Sequence, residues 1–340
     1  MIEIDGAYLE GGGQILRTAC SLSAITKKPC RVFNIRKGRE KPGLMPQHLL
    51  GIQALSQLCN GKLEGDSLGS EEIEFSPGEI QAQDLNIKIR TAGSITLVLQ
   101  TLIIPCLNAP RPVKINFDGG ATDTFFSPTI DYFQYVFLKI LEKMGIKADV
   151  KILKRGYYPE GGAKMEVLIY PSGIKTLNLT KRGEILKIDA VSGAANTLKE
   201  KKVAERQITG VKEILGKLKL PLEEKIEYYE TASPGSQICL IAEFKNTIIG
   251  ADNLGKLGKR AEDVGKEAAW ELLKTADSKA CLDKYLADQI LPYLALANGK
   301  SSVSVSEITN HVKTNIWVIE KFLEGRFGIK ENTITWVPKF

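Results

Sequence analysis

The stretch 12–35, GGQILRTACSLSAITKKPCRVFNI, decides how this chain is read: a helix over 12–26 followed by a strand over 29–35. A second helix over 46–59 and a short strand over 71–75 complete a unit. The same order returns with a helix over 94–107, a strand over 112–117, a helix over 128–144 and strands over 148–153 and 163–170. It returns once more at 282–296, 302–305 and 312–327, closing with a strand over 332–337. Helical segments carry apolar residues at helical spacing, as at Ile316, Ile319, Phe322 and Leu323. A pattern repeated three times predicts three α/β repeats sharing one core.

The third repeat is interrupted. A strand near 177–179 is separated from its helix at Leu282 by roughly a hundred residues, far more than an ordinary loop. That stretch has its own pattern: strands over 185–191, 226–230 and 238–244, a lysine-rich amphipathic helix over 198–218, and a helix over 260–273. It can bury a small sheet of its own. We therefore expect an inserted α/β domain at 183–276, with 1–182 and 277–340 forming the large domain.

A length of 340 residues, 43% hydrophobic and 25% charged, suits an ordinary globular protein of two or three structural units. The net charge of +6 is compatible with a polyanionic ligand but does not by itself point to one. Six scattered cysteines with no C-x-x-C spacing read as reduced core thiols. Glu3 and Asp5 interrupt any apolar run at the start, and the longest apolar stretch, 95–107, is too short for a bilayer. A cytoplasmic protein without membrane association is expected. Nothing in the residues specifies an oligomeric state.

The run Glu10-Gly11-Gly12-Gly13-Gln14 lies between a strand and a helix. Its glycines fit two readings, a tight turn needing positive φ or a backbone cradle for an anion. Arg17, one turn into the helix, could face the same anion. Arg36, Lys37, Arg39 and Lys41 form a basic Gly/Pro loop ahead of a second helix start carrying Gln47 and His48. Such a loop suits phosphate; a bare charge run is more often a solvated surface, and the helix start beside it favours the functional reading. The only two histidines, His48 and His311, each sit near the start of the second helix of a repeat. The polar frame around His311 fits a helix cap, and a neutral imidazole also fits a nucleophile. The segment GADNLGKL, 250–257, matches phosphate-loop spacing until Leu257, which cannot hold magnesium. We read it as a glycine-rich turn before a helix.

Together, EGGGQILRTACSLS, RKGREKPGLMPQH, GGATDTFFSPTIDYF, YYPEGGAKMEV, GKRAEDVGKEAAWELL, YLADQ and NHVKTNIWVIEKFL resemble the RNA 3′-terminal phosphate cyclases, over essentially the whole chain. That resemblance implies three βαβαββ-type repeats in a large domain, with a smaller α/β domain inserted into the third. It implies ATP and a divalent metal, Mg or Mn, as cofactors. RNA with a 3′-phosphate end would be the partner, converted to a 2′,3′-cyclic phosphate with release of AMP and diphosphate. By the same resemblance His311 is the nucleophile that carries AMP and Glu10 is the metal ligand. Arg36, Arg39 and His48 face the substrate phosphate. The nucleotide falls to Arg17, Gln47, Gln100, Pro128, Lys284, Tyr285, Leu286, Ala287 and Asp288, with Tyr285 and Pro128 flanking adenine.

Two rivals share the architecture. A non-catalytic cyclase-like RNA-binding protein of ribosome assembly would lack the histidine that this chain carries in a complete NHVKTN frame. An enolpyruvyl transferase would need a phosphoenolpyruvate site, for which only the general architecture speaks.

Overall fold

The computed structural model describes residues 1–218 and 220–339. Its first unit runs β1 (Ile2–Asp5), α1 (Gly13–Thr26), β2 (Cys30–Phe33), α2 (Pro46–Leu58), β3 (Lys62–Glu64) and β4 (Ile73–Ser76). The strands form one sheet in the order β1-β2-β4-β3, with β1 parallel to β2 and the other pairs antiparallel. The second unit has β5 (Leu85–Ser94), α3 (Ile95–Cys106), β6 (Val113–Ala121) and a long helix. That helix begins as α4 (Ile130–Tyr132), passes through a π-turn at Phe133–Phe137 and continues as α5 (Leu138–Lys143). Strands β7 (Ala148–Lys154) and β8 (Lys164–Ile169) close the sheet β5-β6-β8-β7 with the same pairing senses.

The third sheet starts with β9 (Asn178–Leu179), and the chain then leaves it. It builds β10 (Ile185–Ala195), α6 (Val203–Leu215), β11 (Leu222–Tyr229), β12 (Ser236–Phe244), β13 (Ile248–Leu254) and α7 (Ala261–Asp277). It returns through α8 (Lys284–Leu296), β14 (Ser301–Ser304), α9 (Asn310–Phe322), β15 (Gly325–Lys330) and β16 (Thr333–Pro338). Strand β14 pairs parallel with β9 and antiparallel with β16, giving the order β15-β16-β14-β9. The α/β class expected from the sequence is therefore present.

One core joins the first, second and third sheets through Ile15, Leu16, Leu99, Phe137, Leu291 and Ile319. The sheet of β10–β13 is buried on both faces. Ile188, Ile238 and Leu240 pack against Ile208, Val264 and Leu272 of α6 and α7, while Val191, Cys239 and Ile241 enter the large core. This explains why ICLIA, 238–242, is continuously apolar rather than alternating. A buried polar cluster ties the same sheet to the second unit. Arg155 pairs with Asp123 at 3.0 Å and Asp131 at 2.6 Å, and Asp131 accepts from Gln237 of β12 at 3.2 Å.

Four local expectations need correction. The helix expected over 312–327 stops at Phe322, because Gly325–Lys330 pairs with β16 as a hairpin strand. The 250–255 segment is no turn: Gly250 to Leu254 belong to β13, and the turn follows at 255–260. The helix over 198–218 is shorter, with 3₁₀ turns on either side of Val203–Leu215. Finally, β5 was not anticipated, although Leu85, Ile87 and Ile89 alternate inward against exposed Asn86, Lys88 and Arg90.

Candidate active site

The loop after β1 sets the site's centre. Gly11 has φ +57°, the left-handed turn that brings the chain into α1. A Cβ at Gly13 would lie 2.1 Å from Nε2 of His48, so a close approach of α1 to α2 also requires glycine. Gly12 caps α1 with no side-chain hydrogen bond, leaving its first backbone N–H groups without a side-chain partner.

Helix α9 delivers His311 to this end of α1. Thr309 caps α9, its hydroxyl accepting from the Val312 N–H at 3.2 Å, so the imidazole is not spent on capping. Its Nδ1 lies 2.8 Å from Gln14 Oε1, and Gln14 Nε2 donates to Asp288 Oδ2 at 2.7 Å. With its NH₂ given to Asp288, the Gln14 amide turns its oxygen to the imidazole. Nδ1 then carries the hydrogen and Nε2 the lone pair. Nε2 is 3.5 Å from Glu10 Oε1. Burial holds His311 below the ordinary histidine value, with Glu10 opposing and Arg17 and Arg39 adding to the depression. The ring is neutral near pH 7.

Around this core the helices are cross-linked. Asn315 donates to the Asp288 main-chain carbonyl and accepts from the Thr18 hydroxyl, both at 2.7 Å. Arg17 Nε donates to Gln100 Oε1 at 3.1 Å, Gln100 to Gln289 at 2.9 Å, and Gln289 to the Tyr285 carbonyl at 2.8 Å. Burial lowers Arg17 to about 10 against the pull of Asp288, and burial raises Asp288 to about 7 against the pull of Arg17. A cavity lies among these groups, lined by Gln14, Arg17, Thr18, Gln100, Asp288 and Asn315, with Ile104, Phe137 and Tyr293 behind.

The basic loop divides its arginines. Arg39 bonds both the carboxylate and the carbonyl of Glu10, beside Gly12. Arg36 instead closes the loop on itself, donating to the carbonyls of Lys41 at 2.6 Å and Gly43 at 2.9 Å. His48 is only 5% exposed, and its Nδ1 accepts from the Met45 N–H at 3.3 Å in the first turn of α2. Burial, Arg17 and Arg36 lower it to about 3, so it stays uncharged. Gln47 stands one residue earlier, beside Gly93.

On the far side of the cavity Tyr285 is 47% exposed, with Lys284 Nζ 4.9 Å from its ring centroid and paired to Glu271 at 2.7 Å. Leu286 and Ala287 are buried in the core. Pro128 is fixed through its carbonyl, which accepts from Thr96 at 2.9 Å.

The family model described as RNA 3′-terminal phosphate cyclase matches residues 8–329. The chain belongs to that family. It is 48% identical over 330 residues to the RNA 3′-terminal phosphate cyclase of Pyrococcus abyssi, covering 97% of this chain and 95% of that protein. It is 45% identical over 331 residues to the one of Thermococcus kodakarensis (97% and 94%) and 41% identical over 333 residues to the one of Pyrobaculum aerophilum (97% and 95%). The match spans an enzyme family, a ligase family in its chemistry.

Within this cyclase-family chain the donor set suits a particular kind of cation. Among the described residues no group of three or more His, Cys, Asp or Glu side chains could hold a metal ion. Glu10, beside His311 Nε2, would hold a divalent cation only as one that keeps its waters and binds mainly through substrate phosphates.

Several participants were not singled out from the sequence. Gln14 stood in the quoted glycine run, and Thr18, Asn315 and Gln289 sit beside named residues, yet amides and hydroxyls carry no signal of their partners. Asp252 and Asp283 were also missed. Asp252 of β13 accepts from the Thr129 N–H at 2.7 Å, next to Pro128. Asp283 accepts from Gly250 of β13 at 3.3 Å and caps α8 through Tyr285 and Leu286 at 3.0 and 2.9 Å. Strand β13 thus braces both walls beside Tyr285.

Proposed function

We propose that this chain converts an RNA 3′-terminal phosphate to a 2′,3′-cyclic phosphodiester at the expense of ATP, releasing AMP and diphosphate. The observation that carries this reading is the neutral His311 ring, held at Nδ1 by Gln14 with Nε2 turned toward Glu10.

The chemistry explains the need for activation. A 2′-hydroxyl cannot readily displace oxygen from a phosphate monoester dianion, whose charge and leaving group are both unfavourable. His311 Nε2 takes AMP from ATP through a P–N bond as diphosphate leaves. The RNA 3′-phosphate then takes AMP from His311, and the adjacent 2′-hydroxyl closes the ring as AMP departs. Gln14 keeps the hydrogen on Nδ1 throughout. Arg17 and Arg39 supply fixed positive charge, Asp288 accepts from the nucleotide, and Tyr285 and Pro128 flank its base. A divalent cation on Glu10 would neutralise phosphate charge.

We assign 1–182 with 277–340 to the catalytic body and 183–276 to an inserted unit, a division supported by the separate apolar cluster under α6 and α7. A cytoplasmic setting suits the six free, buried thiols. Among the described residues no helix is long and apolar enough to cross a membrane.

Incubation with α-labelled ATP and magnesium tests the reading. An acid-labile AMP adduct, chased into cyclic-ended RNA by 3′-phosphorylated RNA, is the expected result. Absence of any adduct would instead favour a non-catalytic RNA-binding relative.

A further inference from the structure

A second concavity lies beside Glu10, walled by Ala7, Leu9 and Gly11 on one side and by Lys37, Gly38 and Arg39 on the other. It opens next to the nitrogen that Gln14 leaves free, because Glu10 lines it and lies 3.5 Å from His311 Nε2. The two walls differ in character. The 7–11 wall combines Ala7 and Leu9 with the Glu10 carboxylate and is braced from α9: Tyr8 stacks on Trp317 with centroids 4.2 Å apart and planes at 19°, and the Glu10 N–H donates to Thr314 at 3.3 Å. Tyr8 nonetheless remains 37% exposed, and Leu9 is 52% exposed at φ +45°. A leucine in left-handed backbone, half in water, is a costly arrangement that packing does not explain. The opposite wall carries Lys37 and an Arg39 paired with Glu10, and Lys321 adds charge over Trp317 at 4.8 Å from its centroid.

The direction of chemistry selects an occupant. On the function proposed above, on which this inference rests, both displacements at the AMP phosphorus run with entering and leaving groups in line. Diphosphate leaves opposite Nε2 in the first step. In the second, the RNA 3′-phosphate oxygen forms its P–O bond from that same side as the P–N bond breaks and its electron pair returns to the imidazole. The RNA end must therefore approach over Glu10 and Arg39, where this groove begins. We propose that the groove between Ala7–Gly11 and Lys37–Arg39 seats the last nucleotides of single-stranded RNA. Backbone phosphates lie along Lys37, and unstacked bases rest against Leu9 and the Tyr8–Trp317 pair. An aromatic platform beside cations is how single strands are held without sequence preference.

The test uses the full chain and a 5′-fluorescein decanucleotide ending in 3′-phosphate, read by anisotropy without ATP and by cyclisation kinetics with it. Leu9→Gly suits the left-handed backbone, and Lys37→Ala alters an exposed side chain, so both variants should fold. Each should raise Kd and KM for the RNA about fivefold or more, with the AMP adduct still forming in Leu9→Gly. Lys37→Ala should also reduce the slope of log affinity against log salt by about 0.7. Unchanged RNA affinity in both variants would overturn the proposal, as would loss of affinity only on replacing the exposed Phe126 and Tyr158 of the second unit. Anisotropy needs no ATP, so an enzyme that forms no adduct contradicts the proposed function while the groove is still tested.

Discussion

Gln14 joins His311 to Asp288 across three helices, its amide oxygen 2.8 Å from Nδ1 and its nitrogen 2.7 Å from the carboxylate. These are the only side-chain contacts needed to choose which imidazole nitrogen is free. Gln14→Leu keeps the bulk and removes both bonds. Adduct formation should slow about ten- to a hundredfold, the range for losing hydrogen bonds to a polar group in a partly buried site. Rapid-quench measurement of the AMP adduct checks this, and an unchanged rate would show that the ring needs no such orientation.

Asp288 contributes to the pH response alongside Asp252, which burial raises to about 6. The folded value of Asp288, about 7, lies above that of an unfolded carboxylate. Its contribution to stability is therefore fully present below the unfolded value of about 4 and is lost as pH rises through the folded value. Melting temperature of the ligand-free protein should fall between about pH 4 and 7, and Asp288→Asn should flatten that fall. Adduct formation should run the other way, rising as Asp288 ionises and can hold Gln14.

The close approach of α1 to α2 gives a third expectation. Gly13→Ala places a Cβ against the His48 ring, so α1 must shift away from α2. A loss of about 1–3 kcal/mol of stability is expected, together with slower adduct formation. On the proposed assignment of the covalent role to His311, His48→Ala should retain a measurable adduct, the buried His48 serving only to position its neighbours. Chemical denaturation and adduct assays of both variants separate these outcomes.

Much of the architecture was visible in the residues because it rests on local periodicity. The helix predicted over 12–26 and the α1 observed at Gly13–Thr26 agree, with α1 buried on nearly every side from Gln14 to Ala24 apart from Arg17. Periodicity failed where a partner strand overrode it: Phe327 continues the apolar pattern of α9 but turns inward from a hairpin, 4.8 Å from the Trp336 ring. It failed at Gly250 because a turn-forming residue there serves close packing against Val136 and Tyr132. In the site, Glu10, Arg17, Arg39, Asp288 and His311 were named in advance, whereas Asp252 and Asp283 were not. Nor were Gln14, Asn315 and Thr18, since their roles depend on helices that meet only after folding.

A fourth expectation concerns the inserted sheet. Asp252 holds Thr129 at 2.7 Å, and Thr129 follows Pro128 directly. Asp252→Ala should raise KM for ATP about tenfold, the loss of one charge-assisted hydrogen bond that fixes a binding wall. KM for RNA should change little. A rise in both constants together would mean that the sheet supports the fold generally rather than the nucleotide wall.

The central claim, that His311 carries the nucleotide, is tested most directly by mass spectrometry of the protein after incubation with ATP and magnesium. AMP should be found on His311 alone, and His311→Ala should lose the adduct and cyclisation together while still closing a supplied RNA 3′-adenylate. AMP on His48 or any other residue, or an adduct that persists in His311→Ala, would contradict the account.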